Sequence, residues 1–317
     1  MDDQSSSLQP DPEVLAAQVS LREHGVTSGD VLSQGIAEAR AATYRYQAFL
    51  NEGGPAAEVT EQVLPTTPPT PVRLYRRKAQ AGLLPAYLHV HGGGFAIGNI
   101  DTLDRWKREV ADQAGVVVVG LEYALAPEHP FPIAVEQVLA VLDWLRREGP
   151  ALGIDPMRIG IGGDSAGGNA ALAALLRLRD AGGWQPRFGA IVYGMLSTRH
   201  DSPSHRALGD GRFGLSTDRM EWFWTQYLGE TPRGDAGAEP LHATLQGLPP
   251  LLLIAAALDP LLDDTLDLDR RLADAGVPHA LSVYPGVPHG FLGQTRLLTK
   301  ARQAQAEVVA AIGQHLG

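Results

Sequence analysis

The stretch Arg158-Ile159-Gly160-Ile161-Gly162, followed by Gly163-Asp164-Ser165-Ala166-Gly167 and then by an alanine-rich run over residues 169–179, decides how this chain is read. A short apolar run before a G-x-S-x-G pentad, with a helix-forming run after it, is the strand, turn and helix context that a nucleophilic serine elbow requires. The turn is strained, and the flanking glycines let a neighbouring strand and the helix approach without Cβ clashes. Ser165 is then held at the C-terminal edge of a sheet. By itself the pentad also suits a glycine-rich helix cap, so its context and partners have to decide.

Working outward, short apolar runs at residues 86–90, 116–121, 158–162, 189–193, 251–257 and 280–284 alternate with helical patterns. That alternation predicts a mostly parallel sheet with helices on both faces. Residues 116–119 and 251–257 do not alternate in polarity, as expected of central strands buried on both sides. Residues 1 to about 60 read as helices joined by polar turns, with no clear strand. The stretch 64–71, with four prolines, reads as an extended connector into the sheet. From 196 to about 248 the rhythm breaks, and an insertion over the sheet is expected. It contains the aromatic run Glu221-Trp222-Phe223-Trp224-Thr225-Gln226-Tyr227-Leu228.

A serine nucleophile needs a base, an orienting acid and donors for a developing oxyanion. His91-Gly92-Gly93-Gly94 follows the apolar run 86–90, and glycines allow backbone N–H groups to come close to a reacting oxygen. The hole is assigned to the N–H groups of Gly93, Gly94 and Ala166. Neither G-x-G-x-x-G nor a Walker pattern follows, so a phosphate loop is disfavoured. His89 and His91 form an i, i+2 pair without an evident third ligand, and no metal site is expected. Of ten histidines, His289 stands in Pro288-His289-Gly290-Phe291 just past a late strand, where a loop carries it back over Ser165. Asp259 ends the apolar run 251–258, and the span to His289 suffices for one helix and one strand. Acid and base then occupy adjacent loops of one sheet edge, in the order Ser, acid, His. Asp263, Asp264 and Asp164 compete for the acid role. Asp164 is poorly placed for it and better suited to bracing the elbow.

The composition narrows the alternatives. The chain has 317 residues, enough for one catalytic domain carrying insertions, and a formal net charge of -10 with acidic residues spread along it. A nucleic-acid partner is therefore disfavoured. With no cysteine, the nucleophile must be an oxygen or an amine. Residues 1–13 are acidic and polar and lack the pattern of a secretory signal, and no apolar run approaches the roughly 20 residues of a bilayer span. A cytoplasmic protein without a membrane span is expected.

Taken together, His91-Gly-Gly-Gly94, Tyr123-Ala-Leu-Ala-Pro-Glu-His-Pro-Phe-Pro132, Gly163-Asp-Ser-Ala-Gly-Gly168, Asp259-Pro-Leu261 and His289-Gly-Phe291 resemble the hormone-sensitive-lipase-like esterases, bacterial family IV, of the α/β-hydrolase superfamily. The resemblance implies an α/β-hydrolase fold with an eight-stranded sheet and a helical cap. Here the cap would comprise an N-terminal segment, 1–50, and an insertion, 197–245, over a catalytic domain of 51–196 and 246–317. It also implies a serine carboxylesterase acting on short-chain acyl esters through Ser165, Asp259 and His289, with no cofactor. The expected partner is a small-molecule ester, and a homodimer is left open. The same triad and hole would serve a lactone, an N-acetyl group or a thioester. A ligand-binding protein without turnover is disfavoured because Ser165 and His289 are both present. Where the family usually has arginine after the tyrosine, this chain has Ala124. Phe213, Trp222, Phe223, Trp224 and Tyr227 either line the substrate pocket or pack the cap onto the sheet.

Overall fold

The valine run becomes β4 (Val117–Leu121), in which all five residues are buried. A strand with no wet side needs cover on both faces. Around it β3 (Leu84–Val90), β5 (Ile154–Asp164), β6 (Gly189–Val192), β7 (Leu251–Leu258) and β8 (His279–Pro288) pair in parallel. In this computed structural model, which describes residues 9–317, the sheet has eight strands. The acidic start of the chain, and with it the first part of the expected segment 1–50, lies outside the described residues.

Two strands escaped the sequence reading. β1 (Glu58–Leu64) and β2 (Thr70–Arg76) pair antiparallel with each other, and β2 pairs antiparallel with β4, giving the order β1-β2-β4-β3-β5-β6-β7-β8. The reason is physical. Six of the seven β1 residues are exposed, so an edge strand wet on both sides carries no hydrophobic alternation. The proline-rich stretch 64–71 is not a connector throughout. Its ends belong to β1 and β2, and only residues 65–69 form the connection between them.

Successive residues of the central strands face opposite layers, as the period of two demands. Leu88, Val119 and Ile161 pack with Val138 of α5 (Ile133–Glu148), Leu172 of α6 (Ala166–Asp180) and Leu268 of α9 (Leu262–Asp274). Tyr87, Val118 and Ile254 pack with Trp106 of α4 (Asp104–Ala114) and Val308 of α10 (Thr299–Leu316). The chain crosses from β4 past β3 to reach β5, so the loops after β3 and β5 meet at the point where the strand order reverses. Open α/β sheets bind ligands at such a crevice.

Among the described residues, α1 (Pro12–Glu23), the single turn α2 (Val31–Gln34) and α3 (Ile36–Leu50) lie near the N-terminus, and α7 (Pro203–Leu208) and α8 (Thr217–Leu228) in the middle of the chain. Not all of the first fifty residues gather over the strand ends. Val14 and Ala17 of α1 join the layer of α4 and α10, and Glu13 accepts hydrogen bonds from Thr299 at the start of α10. Among the described residues no helix is long and apolar enough to cross a membrane. The layered core predicts a contrast between two single substitutions. Leu253→Ala, at a fully buried site of β7, should lower the unfolding free energy by about 2–5 kcal/mol. Val63→Ala, at a position 64% exposed in β1, should change it by less than about 0.5 kcal/mol in the same urea titration.

Candidate active site

β5 ends at Asp164 and α6 begins at Ala166, which leaves Ser165 alone on the turn at φ 56°, ψ -121°. A non-glycine residue held there costs on the order of 1–3 kcal/mol and persists only where its surroundings fix it. The fixing bonds are visible. The Ser165 N–H donates to Val192 O at 2.9 Å, and its carbonyl accepts from Asn169 and Met195 N–H groups, each at 3.2 Å. The close approach the pentad implied is equally concrete, because a Cβ on Gly167 would stand 2.0 Å from Val90 O and 2.6 Å from His91 O.

Three side chains from successive parts of the sequence converge on this turn. His289 Nε2 lies 2.9 Å from Ser165 Oγ, and His289 Nδ1 lies 2.6 Å from Asp259 Oδ2. A carboxylate only accepts, so the imidazole carries its proton on Nδ1 and leaves Nε2 free to accept from the serine. Asp259 is fully buried, and its other oxygen accepts the Leu261 N–H at 2.9 Å. The competing carboxylates are committed elsewhere. Asp263 accepts from Ser204 N–H, Asp264 from the N–H groups of Leu196 and Ser197, and Asp164 from Gly92 N–H at 3.0 Å. The Asp164 bond ties the elbow to the glycine loop after β3.

In that loop the N–H groups of Gly93 and Gly94 have no protein acceptor among the described residues. Both residues border the same cavity as Ser165 and His289. Gly94 could carry no side chain, since a Cβ there would sit 2.2 Å from the Phe223 ring. Ala166 does not border the cavity. Completely buried, it offers only its N–H, which as the first of α6 has no intrahelical acceptor.

Both histidines beside the loop are structural in their contacts. His91 stacks on Tyr123 at 4.3 Å, its Nδ1 lies 2.7 Å from Gly92 O, and the Tyr123 hydroxyl donates to His91 O. Burial holds its imidazole down to about 4. His89 packs on Trp106, and burial keeps it well below the usual histidine range. The same burial pushes Asp164 up to about 6, opposed by its bond to Gly92. Where the family arginine is replaced by Ala124, the segment is anchored from outside. Gln137 accepts the Ala124 N–H, and Arg40 of α3 donates to Ala96 O and Ala126 O and pairs with Glu128.

The cavity above Ser165 encloses about 190 Å³. Phe213, Trp222, Trp224 and Tyr227 do not line it, which corrects that half of the sequence reading. Helical geometry explains why. Arg219, Met220 and Phe223 turn one face of α8 to the cavity, while Trp224 and Tyr227 are buried beside Phe95, whose ring stacks on Tyr227 at 3.5 Å. Trp222 packs edge-on against Phe223, and Phe213 lies under the Arg212 guanidinium. The opposite wall is Thr43, Tyr46, Gln47 and Leu50 of α3. Their i, i+3, i+4, i+7 spacing places them on one helix face and is legible in the sequence.

A family profile described as the alpha/beta hydrolase fold matches residues 87–293, and the chain belongs to that family. It is similar to an ethyl acetate hydrolase of Pseudomonas putida, 34% identical over 328 residues, covering 98% of this chain and 100% of the relative. A carboxylesterase of Mycobacterium tuberculosis is 34% identical over 247 residues, 76% of this chain and 77% of that one. Among solved structures, an alpha/beta hydrolase enzyme from the metagenome of Lake Arreo superposes with a TM-score of 0.88 at 33% identity, covering 97% of this chain and 98% of that one.

The elbow can be tested without substrate. Gly167→Ala should lower stability by about 1–3 kcal/mol or more, since the obstructing atoms are backbone. Gly168→Ala, whose nearest neighbour would be 3.2 Å away, should cost less in the same thermal unfolding experiment.

Proposed function

We propose that this chain is a serine carboxylesterase that hydrolyses short-chain esters through an acyl-enzyme. The observation that carries the reading is His289 hydrogen-bonded between buried Asp259 and Ser165 on the floor of one cavity. In this reading Ser165 Oγ attacks the ester carbonyl while its proton passes to His289 Nε2. The C–O bond forms as the carbonyl oxygen takes up negative charge, received by the N–H groups of Gly93, Gly94 and Ala166. Asp259 holds the imidazole in its tautomer and stabilises the imidazolium. Collapse of the tetrahedral species breaks the bond to the alcohol, which leaves with the proton from His289. Water then gives a proton to His289 and attacks the acyl carbon. The second collapse returns the proton to Ser165 and releases the acid.

Hydrolysis of carboxylic esters is supported by the similarity to an ethyl acetate hydrolase and a carboxylesterase. The preference for short chains is supported by the cavity, whose 190 Å³ is below the roughly 300–1,000 Å³ of sites for drug-sized ligands. Of the segments 1–50 and 197–245 expected as a cap on the catalytic domain of 51–196 and 246–317, α3 and α8 supply cavity walls and are read as the cap, while α1 packs with α4 and α10 and is read with the catalytic domain. A cytoplasmic location belongs to the same reading, and a homodimer is compatible with it.

A para-nitrophenyl ester series from acetate to palmitate should show turnover peaking at short acyl chains. Ser165→Ala should abolish it, and Asp259→Asn should lower kcat by roughly 10⁴. Turnover that survives Ser165→Ala would remove that residue as nucleophile. Activity confined to lactones or thioesters would keep the triad and change the substrate class. Because His289 Nε2 has to accept the serine proton, His289→Gln should lower kcat about as far as Ser165→Ala, and a variant that kept most of the turnover would count against His289 as the base.

A further inference from the structure

Among the described residues, most that border the cavity are apolar or neutral, and besides His289 and the Tyr46 phenol its titratable or charged side chains are the Asp164 carboxyl and the Arg219 guanidinium. Its side chain is only 15% exposed. Two carbonyls hold it: Nη1 donates to Gly214 O at 3.1 Å and Nη2 to Gly29 O at 2.9 Å. The cation also lies 5.9 Å from the centre of the Phe223 ring. A guanidinium has five N–H groups in a rigid fork, so these two bonds leave three unspent. Of those, the Nε–H is buried without a hydrogen-bond partner and lies toward Asp30, which leaves the second N–H groups of Nη1 and Nη2 for an entering anion.

The nearest carboxylate does not complete the pair. Asp30 Oδ1 stands 3.6 Å from Arg219 Nε, and the Asp30 oxygens already accept from Leu32 N–H at 3.2 Å and Ser33 Oγ at 2.5 Å. Asp30 is also 38% exposed, so water screens its charge. A cation that has been desolvated and pinned, with donors left over at the wall of a small cavity, is complementary to an anion entering that cavity.

We propose that Arg219 is a specificity residue that binds a carboxylate on the substrate, so that the preferred class is anionic esters carrying a free carboxylate on the acyl or the alcohol part. The inference rests on the esterase reading and narrows its substrate class. Its rival is a purely mechanical one, in which Arg219 only ties the loop at Gly29 to the loop at Gly214.

Two matched pairs separate these. Monomethyl glutarate against methyl pentanoate puts the charge on the acyl side, and 4-acetoxybenzoate against 4-methylphenyl acetate puts it on the alcohol side. The quantity read is the ratio of kcat/KM for the anionic member to that for the neutral one. In at least one pair Arg219→Gln should lower the ratio about ten-fold or more, mainly through the KM of the anionic ester. Arg219→Lys should keep part of the ratio, and Asp30→Asn should raise it. Equal losses on both members of both pairs, or a ratio untouched by Arg219→Gln, would overturn the proposal. Should Arg219→Gln fail to fold, a ratio unmoved by Asp30→Asn and by Arg219→Lys would overturn it instead. Failure of the wild type to turn over even the neutral esters would overturn the esterase reading itself.

Discussion

Two backbone turns that follow neighbouring strands have to touch in this molecule, and most of the site depends on that contact. Strands in a sheet lie about 4.8 Å apart, too close for side chains to intervene between the turns that leave them. At the ends of β3 and β5 the difficulty is met by Gly167, which lies against the carbonyls of Val90 and His91. Asp164 adds a bond across the gap to Gly92. The elbow therefore cannot shift without moving the glycine loop, and the serine keeps its place relative to the N–H groups of Gly93 and Gly94. The positive φ of Ser165 is tolerated because bonds from β6 and α6 hold it from both sides.

Beneath this contact lies a buried polar group of His89, His91, Asp164 and Lys107. Burial acts on all four by disfavouring charge, lowering the two imidazoles and the ammonium and raising the carboxyl. Lys107 is compensated by donating to Ile100 O at 2.7 Å. For Asp164 the folded value of about 6 lies above its ordinary 3.8, so the fold favours the protonated form. Its contribution to stability is fully present at low pH and is lost as pH rises through that interval. Keeping an aspartate here despite that cost fits its part in joining the two turns.

The central strands, the elbow, the glycine loop and the late Asp and His were legible because each rests on local chemistry: uninterrupted burial, a fixed turn, a residue at a strand end. β1 and β2 were not, since β1 is wet on both sides and the prolines between them masked the connection. The aromatic run of α8 was ambiguous for another reason. Aromatic composition marks burial without saying against what, and only the phase of the helix shows that Phe223 meets the cavity while Trp224 and Tyr227 meet the core. Arg219 could not be singled out from sequence, because its significance comes from Gly29, some 190 residues away along the chain.

Part of the cavity wall comes from α3, α8 and the loops beside them, whereas Ser165, His289 and the glycine loop, which also border the cavity, stand at the strand ends. On the proposed function, part of what selects the molecule to be cleaved is written in a different stretch of polypeptide from the groups that cleave it. A change at Tyr46, Met220 or Arg219 would then alter what is admitted without replacing a reactive group. Such an arrangement lets a lineage explore new diets by editing two helices, with the chemistry carried along intact.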